Sequence, residues 1–151
     1  MKFTIREYQI DDRVSLEKLI QFNVPQYFAQ SEISDFINYL ENEREEYWVV
    51  ECEGELVGCG GVNFIHRQEA RLSWDIVHPS FQGKGIGKEL VNYRLNFLTE
   101  RGIGVVEVRT AQFTAAFYEK HGFKTKFTRP DYWSKGFDLY HMELRLSDRI
   151  G

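Results

Sequence analysis

The sequence predicts an α/β domain built around a mixed, mostly antiparallel sheet. Three observations carry that expectation. Short alternating apolar runs recur along the whole chain, at residues 3–6, 47–52, 56–64, 72–77, 105–109, 123–127 and 139–146. Segments with helical apolar spacing fall between them. The resulting order is β-α-α-β-β-β-α-β-α-β-β, about seven strands flanked by about four helices. At 151 residues with 42% apolar content, residues 1–151 are expected to form a single domain with a real core.

Each element has its own warrant. Phe3 and Ile5 alternate with Thr4 and Arg6 in a short first strand. Asp11 or Asp12 is placed to cap a helix that buries Val14, Leu16, Leu19 and Ile20. Residues 22–30, with Pro25, Tyr27 and Phe28, read as a loop. Ser31 is placed to cap a second helix, where Ile33, Phe36, Ile37 and Leu40 share a face. Residues 47–52 and 56–64 read as a hairpin turned at Glu53-Gly54. Gly58, Gly60 and Gly61 lie in its second strand, where glycine marks a bulge or a close approach.

Next comes an alternating strand, Leu72, Trp74 and Ile76 against Ser73, Asp75 and Val77, stopped by Pro79. Beyond a glycine-rich turn, Ile86, Leu90, Tyr93 and Phe97 repeat at helical spacing, with Val91, Leu95 and Leu98 widening the face. Residues 105–109 make a short apolar strand. Phe113 and Phe117 are expected on one helix face, and Gly122 as its left-handed cap. Residues 123–127 form the next strand, 128–136 read as a loop with Pro130, Tyr132 and Trp133, and 139–146 alternate again, with Tyr140, Met142 and Leu144 on one side.

Composition narrows the function. The net charge is −4, with an acidic run between Glu41 and Glu55 and no basic stripe, which argues against nucleic acid as a partner. No apolar segment is long enough to span a membrane, and residues 1–6 lack the apolar run of a signal peptide. In the hairpin register Cys52 lies opposite residue 55 or 56, not Cys59, so no disulfide is expected. A reducing, cytoplasmic location follows as an expectation. No Cys-x-x-Cys or His-x-x-x-His spacing suggests a metal site.

The turn between strand and long helix carries the clearest chemistry. Gly83, Gly85 and Gly87 fall at every second position, with Lys84 and Lys88 beside them. A helix start leaves backbone N–H groups unpaired and carries partial positive charge. Glycine lets a phosphate approach that backbone closely. The segment reads either as a pyrophosphate cradle or as a plain strand–helix turn. It is neither a Walker loop, which needs glycine at Gln82 and Ser or Thr at Glu89, nor a dinucleotide fingerprint, which needs glycine at Lys88.

Gln82-Gly83-Lys84-Gly85-Ile86-Gly87, with its lead-in Val77, Pro79 and Gln82, resembles the Gln/Arg-x-x-Gly-x-Gly/Ala signature of the GNAT superfamily of acyl-CoA N-acyltransferases. A second segment of that family is matched by Ala116 to Phe123. The resemblance implies the same element order, acetyl-CoA as cosubstrate, and a cofactor gap between the fourth and fifth strands. It implies backbone contacts from Ile76 and Val77 to the pantetheine arm. It places Gln82, Gly83, Lys84, Gly85, Ile86, Gly87 and Lys88 at the pyrophosphate. It implies that Tyr118 is the general acid on the leaving thiol; without the resemblance, Tyr118 reads as a core aromatic with a satisfied hydroxyl. Many members carry asparagine where this chain has Ala111, a loss that Thr110 or Gln112 could offset.

The base is less legible. Asp75 is the nearest carboxylate, facing the gap or away from it according to the strand's alternation; His78 is a second candidate, and ordered water a third. His66, His121 and His141 read as structural or exposed. The acceptor site is expected between the loops at 22–30 and 128–138, where Tyr27, Phe28, Tyr132 and Trp133 either wall a pocket or pack the loops down, and Asp131 and Asp138 could attract a cationic amine. The first expectation is acetyl transfer to the primary amine of a small molecule. The alternatives are a non-catalytic acyl-CoA-binding module and a protein or peptide N-acetyltransferase. Homodimers are common in the family, and the sequence leaves the oligomeric state open.

Overall fold

The computed structural model describes residues 2–149. Seven strands form one sheet in the order β1-β2-β3-β4-β5-β7-β6. They are β1 (Thr4–Glu7), β2 (Glu46–Cys52), β3 (Glu55–His66), β4 (Glu69–Val77), β5 (Val105–Thr110), β6 (Lys124–Ser134) and β7 (Phe137–Arg145). Only β4 and β5 run parallel; every other neighbouring pair is antiparallel. The connection between those two is the helix α3 (Ile86–Glu100), as a parallel crossover requires. The other helices are α1 (Arg13–Gln21), α2 (Glu32–Asn38), which runs on into a π-helical turn at Tyr39–Glu43, and α4 (Ala115–Lys120). This is the mixed α/β architecture the sequence predicts.

The sheet is covered on both faces. On one, α3 and α4 pack Ile86, Leu90, Leu95, Leu98 and Tyr118 over Trp48, Val62, Leu72 and Val106. On the other, α1 and α2 pack Leu16, Leu19, Ile20 and Phe36 over Tyr47, Val49, Cys59 and Ile76. Cys52 lies opposite Glu55, and both cysteines are buried free thiols. No helix among the described residues is long and apolar enough to cross a membrane.

Several local expectations are corrected. The segment at 128–136 is not a loop: β6 continues to Ser134, and the turn into β7 is confined to Lys135 and Gly136. Pro130 does not stop it because β6 is the last strand of the sheet, where one missing N–H breaks no second ladder. Val14 is 58% exposed rather than buried. Asp12 does not cap α1 with its side chain; its carboxylate reaches back to the Gln9 N–H and to Arg6. Ser31 makes no cap bond either, and Glu32 accepts the Ala29 N–H instead. Phe113 precedes α4 and rests on the edge of Phe137. Gly122 does take the left-handed conformation at φ 95°, and the Phe123 N–H bonds back to the Tyr118 carbonyl, anchoring that residue's turn.

Candidate active site

The site begins where the sheet splits. β4 and β5 pair over residues 69–72 and 105–108, ending at Leu72 opposite Val108. Beyond that point the edge of β4 from Ser73 to Val77 has no partner on β5. A cavity of about 1010 Å³ opens there, bounded by both strands, the start of α3 and the side of α4.

A bulge sets which β4 side chains meet it. Trp74 has φ 51°, a left-handed conformation that a tryptophan rarely takes, and the β3–β4 register slips opposite it between Cys59 and Gly61. Leu72 packs under α3, whereas Ser73 bonds Asn63 and Trp74 packs toward α2. Two consecutive residues thus serve one face. Asp75 is thereby returned to the α3 side, and Ile76 to the α1–α2 core. The glycines of β3 fit this arrangement: a Cβ on Gly60 would lie 2.9 Å from both Arg94 Nη1 and Asp75 Oδ1, and one on Gly61 would lie 2.3 Å from the Tyr47 ring.

At the mouth, Gly83 (φ 75°) and Gly85 (φ 88°) are both left-handed, and a Cβ on either would meet nothing within 4 Å. Gly85 caps α3 and so brings no capping side chain; the N–H groups of Ile86, Gly87 and Lys88 have no partner within the helix. Gly87 has a different reason, since its Cα sits against Phe117, whose ring a Cβ would approach to 3.2 Å. Ile86 is buried in the core, while Gln82, Lys84 and Lys88 are exposed around the turn. The Gln82 Oε1 accepts a hydrogen bond from the Tyr27 hydroxyl at 3.0 Å. A pyrophosphate group fits this turn: the backbone is open, its dipole is favourable, and two lysines flank it. Val77 lines the same cavity.

At the floor stand Asp75, Arg94 and Tyr118. The Tyr118 hydroxyl donates to Asp75 Oδ2 at 2.5 Å. Arg94 grips the same carboxylate with both ends of its guanidinium, Nη1 to Oδ1 at 2.6 Å and Nη2 to Oδ2 at 2.9 Å. Arg94 also donates to the carbonyls of Leu90 and Gly61. Its side chain is wholly buried and that of Asp75 is 16% exposed. Burial pushes the Tyr118 hydroxyl well above its ordinary value and Asp75 pushes it further, while Arg94 opposes both. Burial weakens the hold of Arg94 on its proton, but Asp75 more than restores it. Removing either partner of this pair would leave the other's charge buried and uncompensated, which costs about 3–5 kcal/mol. Asp75 therefore faces the site, but as an engaged acceptor rather than a free base.

The four aromatic residues proposed for the acceptor line the same cavity. Phe28 stacks on Trp74 with ring centroids 6.1 Å apart. Trp133 donates its indole N–H to the Thr110 carbonyl, and the Tyr132 hydroxyl accepts from Arg109. Asp131 and Asp138 do not face the cavity; their carboxylates accept N–H groups within the β6–β7 turn. Gln112 is likewise bonded to that turn, so it does not replace the polar group lost at Ala111, whereas Thr110 and Thr114 share a hydroxyl contact on the cavity wall. His78 accepts the Ser80 N–H and packs against Phe22 and Phe81, away from the cavity lining. Besides Asp75, the acidic residues that line it are Glu32, Glu43 and Glu45, which no motif marks. No group of three or more His, Cys, Asp or Glu among the described residues is placed to hold a metal.

Comparison with known proteins bears on this arrangement. A model of the acetyltransferase (GNAT) family matches residues 14–123. The N-alpha-acetyltransferase RimI of Mycobacterium tuberculosis is 35% identical over 94 residues, 59% of each chain. The chain spans about half the length of the curated relatives it matches. The crystal structure of the ribosomal-protein-S18-alanine N-acetyltransferase of Escherichia coli superposes with a TM-score of 0.80 at 20% identity, covering 96% of this chain and 94% of that one. YncA of Salmonella typhimurium, solved with its cofactor acetyl-CoA, superposes with a TM-score of 0.74 at 19% identity, covering 100% of this chain and 98% of that one. At these identities the structural likeness is one of fold.

Proposed function

This chain belongs to the acetyltransferase (GNAT) family, and we propose that it transfers the acetyl group of acetyl-CoA to the primary amine of a small molecule. One observation carries the proposal. A glycine-capped helix start and an acid-bearing floor, Tyr118 on Asp75, open onto the same cavity in the split between β4 and β5. Acetyl-CoA supplies a thioester carbonyl there when bound. The backbone N–H groups of residues 83–88 hold its pyrophosphate, with Lys84 and Lys88 adding charge. Backbone groups of Ile76 and Val77, on the unpaired edge of β4, hold its arm and offer an N–H to the carbonyl.

Tyr118 keeps its proton over the working pH range and supplies it to the departing sulfur. The amine must shed a proton of its own. With a pKa near 10.4 it is protonated at pH 7 by about 4.6 kcal/mol over the free base. Since Asp75 is engaged by Arg94 and Tyr118, that proton leaves to water at the open mouth. Phe28, Tyr27, Tyr132 and Trp133 wall the acceptor, and the carboxylates of Glu43 and Glu45 on the same lining draw an ammonium inward.

The name of RimI favours a second reading, in which the acceptor is the α-amine of a peptide. The two differ in pH dependence, because an α-amine has a pKa near 7.7–8.0. Thiol release at saturating acetyl-CoA is measured from pH 6 to 10 with spermidine, phenethylamine and an alanine-led peptide. The proposal expects turnover with one of the small amines, kcat/KM rising up to about pH 10. Turnover with the peptide alone, levelling near pH 8, supports the second reading. No calorimetric binding of acetyl-CoA, with dephospho-CoA and pantetheine as controls, would overturn both.

A further inference from the structure

We infer that Arg94 is a positioning residue for the transfer: through Asp75 it fixes the direction of the Tyr118 hydroxyl at the cleft floor. Arg94 stands where the apolar repeat of α3 calls for a core residue, among Leu90, Val91, Leu95 and Leu98, and has no exposed surface. Stability does not account for it. A buried ion pair is commonly matched or exceeded by apolar residues of the same volume. The fold makes room for this pair instead. β3 carries glycine at Gly60, where any Cβ would strike both charged groups, and turns the Gly61 carbonyl toward Arg94.

The geometry shows what the arrangement does. A guanidinium bound to both oxygens of a carboxylate sets the plane of that carboxylate, which a point charge does not. Asp75 Oδ2 accepts from Arg94 Nη2 and from the Tyr118 hydroxyl, so the plane set by Arg94 is also the direction in which Tyr118 holds its proton. Asp75 comes from β4, Arg94 from α3 and Tyr118 from α4. Three separate elements meet at one carboxylate on the cavity wall.

The inference rests on the reading of Tyr118 as the acid. In that reading a carbon–nitrogen bond forms and the carbon–sulfur bond breaks. Starting from the ammonium, nitrogen releases two protons to water, one before attack and one as the amide forms; the Tyr118 proton passes to sulfur, and water returns one proton to Tyr118. Asp75, its charge balanced by Arg94, stays an acceptor throughout. Arg94 thus keeps Asp75 an acceptor and holds the Tyr118 oxygen at the cavity wall, from where the hydroxyl turns its proton from Asp75 to the sulfur.

The test compares Arg94→Leu, Arg94→Lys and Asp75→Asn with wild type, and has two readouts. The first is the ring Cζ resonance of Tyr118 at pH 7 in protein labelled with ring-¹³C tyrosine, identified by its absence in Tyr118→Phe. The second is the split between acetyl-CoA affinity and kcat with the amine found active above. Both arginine variants are expected to move the Tyr118 resonance in the direction that Asp75→Asn moves it. They are expected to lower kcat about 10- to 100-fold while acetyl-CoA affinity changes less than about threefold. Arg94→Lys keeps the charge and answers the question if Arg94→Leu does not fold. An unmoved Tyr118 resonance in a folded arginine variant would overturn the inference, as would a loss of kcat matched by a loss of acetyl-CoA affinity. A wild-type protein that turns over none of the amines would overturn the transferase reading and its catalytic meaning for Arg94, even where the resonance moves.

Discussion

The Tyr47 hydroxyl donates to the Trp74 carbonyl at 2.7 Å, tying β2 to the residue at which β4 changes face. The ring is buried, and the Cys59 sulfur lies 3.2 Å from the same hydroxyl. Without the bulge, Asp75 would follow simple alternation and share a face with Ser73, away from Tyr118. Tyr47→Phe is therefore expected to act twice. It leaves the Trp74 carbonyl unpaired, at about 1–2 kcal/mol, which lowers Tm by roughly 2–8 °C. It also slackens the placement of Asp75, so kcat falls while acetyl-CoA affinity holds. Calorimetric unfolding and steady-state kinetics check both, and an unchanged Tm would dissociate Tyr47 from the bulge.

The cradle has a graded test. Gly85→Ala asks only for a left-handed alanine, a strain of about 1–2 kcal/mol, with open space for its methyl. Gly85→Asp adds a carboxylate where the proposed function places a phosphate. Acetyl-CoA titration is expected to show a modest loss for alanine and a loss of about 100-fold or more for aspartate, with both proteins folded. Equal affinities in the two variants would remove the pyrophosphate from this turn.

Gly60 offers a way to disturb the floor from below. A methyl group there would sit 2.9 Å from Arg94 Nη1 and Asp75 Oδ1, so one partner must move. Gly60→Ala is expected to cost about 1–3 kcal/mol in urea unfolding and to lower kcat more than it weakens acetyl-CoA binding. A variant as stable and as active as wild type would show that the pair tolerates displacement.

Beside β1, at the other edge of the sheet, Asp12 is expected to contribute to the acid dependence of stability. Hydrogen bonds from Arg6 hold its carboxyl below the ordinary range; burial opposes them and the Gln9 N–H assists. The folded state thus gives up the Asp12 proton at lower pH than the unfolded state does. The resulting stability is present above the ordinary carboxylate pKa, near 3.9, and is lost as pH falls through the lowered value. Arg6 is 32% exposed at its side chain, so screening limits the effect to the order of 1 kcal/mol. Urea unfolding of Asp12→Asn should trail wild type by that amount at pH 7, and the gap should narrow as pH falls below the ordinary carboxylate value. A constant gap across this range would assign the acid loss elsewhere.

What the sequence discloses follows from the range of the interactions. The glycine turn that opens α3 is legible because its glycines and the helix start are neighbours in the chain. Tyr118 is legible through the Ala116–Phe123 segment and the Gly122 cap. The role of Arg94 is not, because its partners lie 19 and 33 residues away and its own context is an apolar helix stripe. The direction of Asp75 is hidden for a related reason: a period-2 reading assumes no bulge, and the bulge is held by Tyr47, 27 residues away. The continuation of β6 through Pro130 depends on its being the last strand, which no local pattern states.

The helix α3 begins at the cap Gly85 and carries Arg94 nine positions on, about 13.5 Å along its axis at 1.5 Å per residue. The glycine turn at the mouth of the cleft and the arginine that grips Asp75 at its floor are thus mounted on a single stiff beam. Its length is a specification: deleting one residue between Ile86 and Asn92 would retract Arg94 by about 1.5 Å and swing it by roughly 100° off Asp75. Surface loops absorb such changes; this helix cannot.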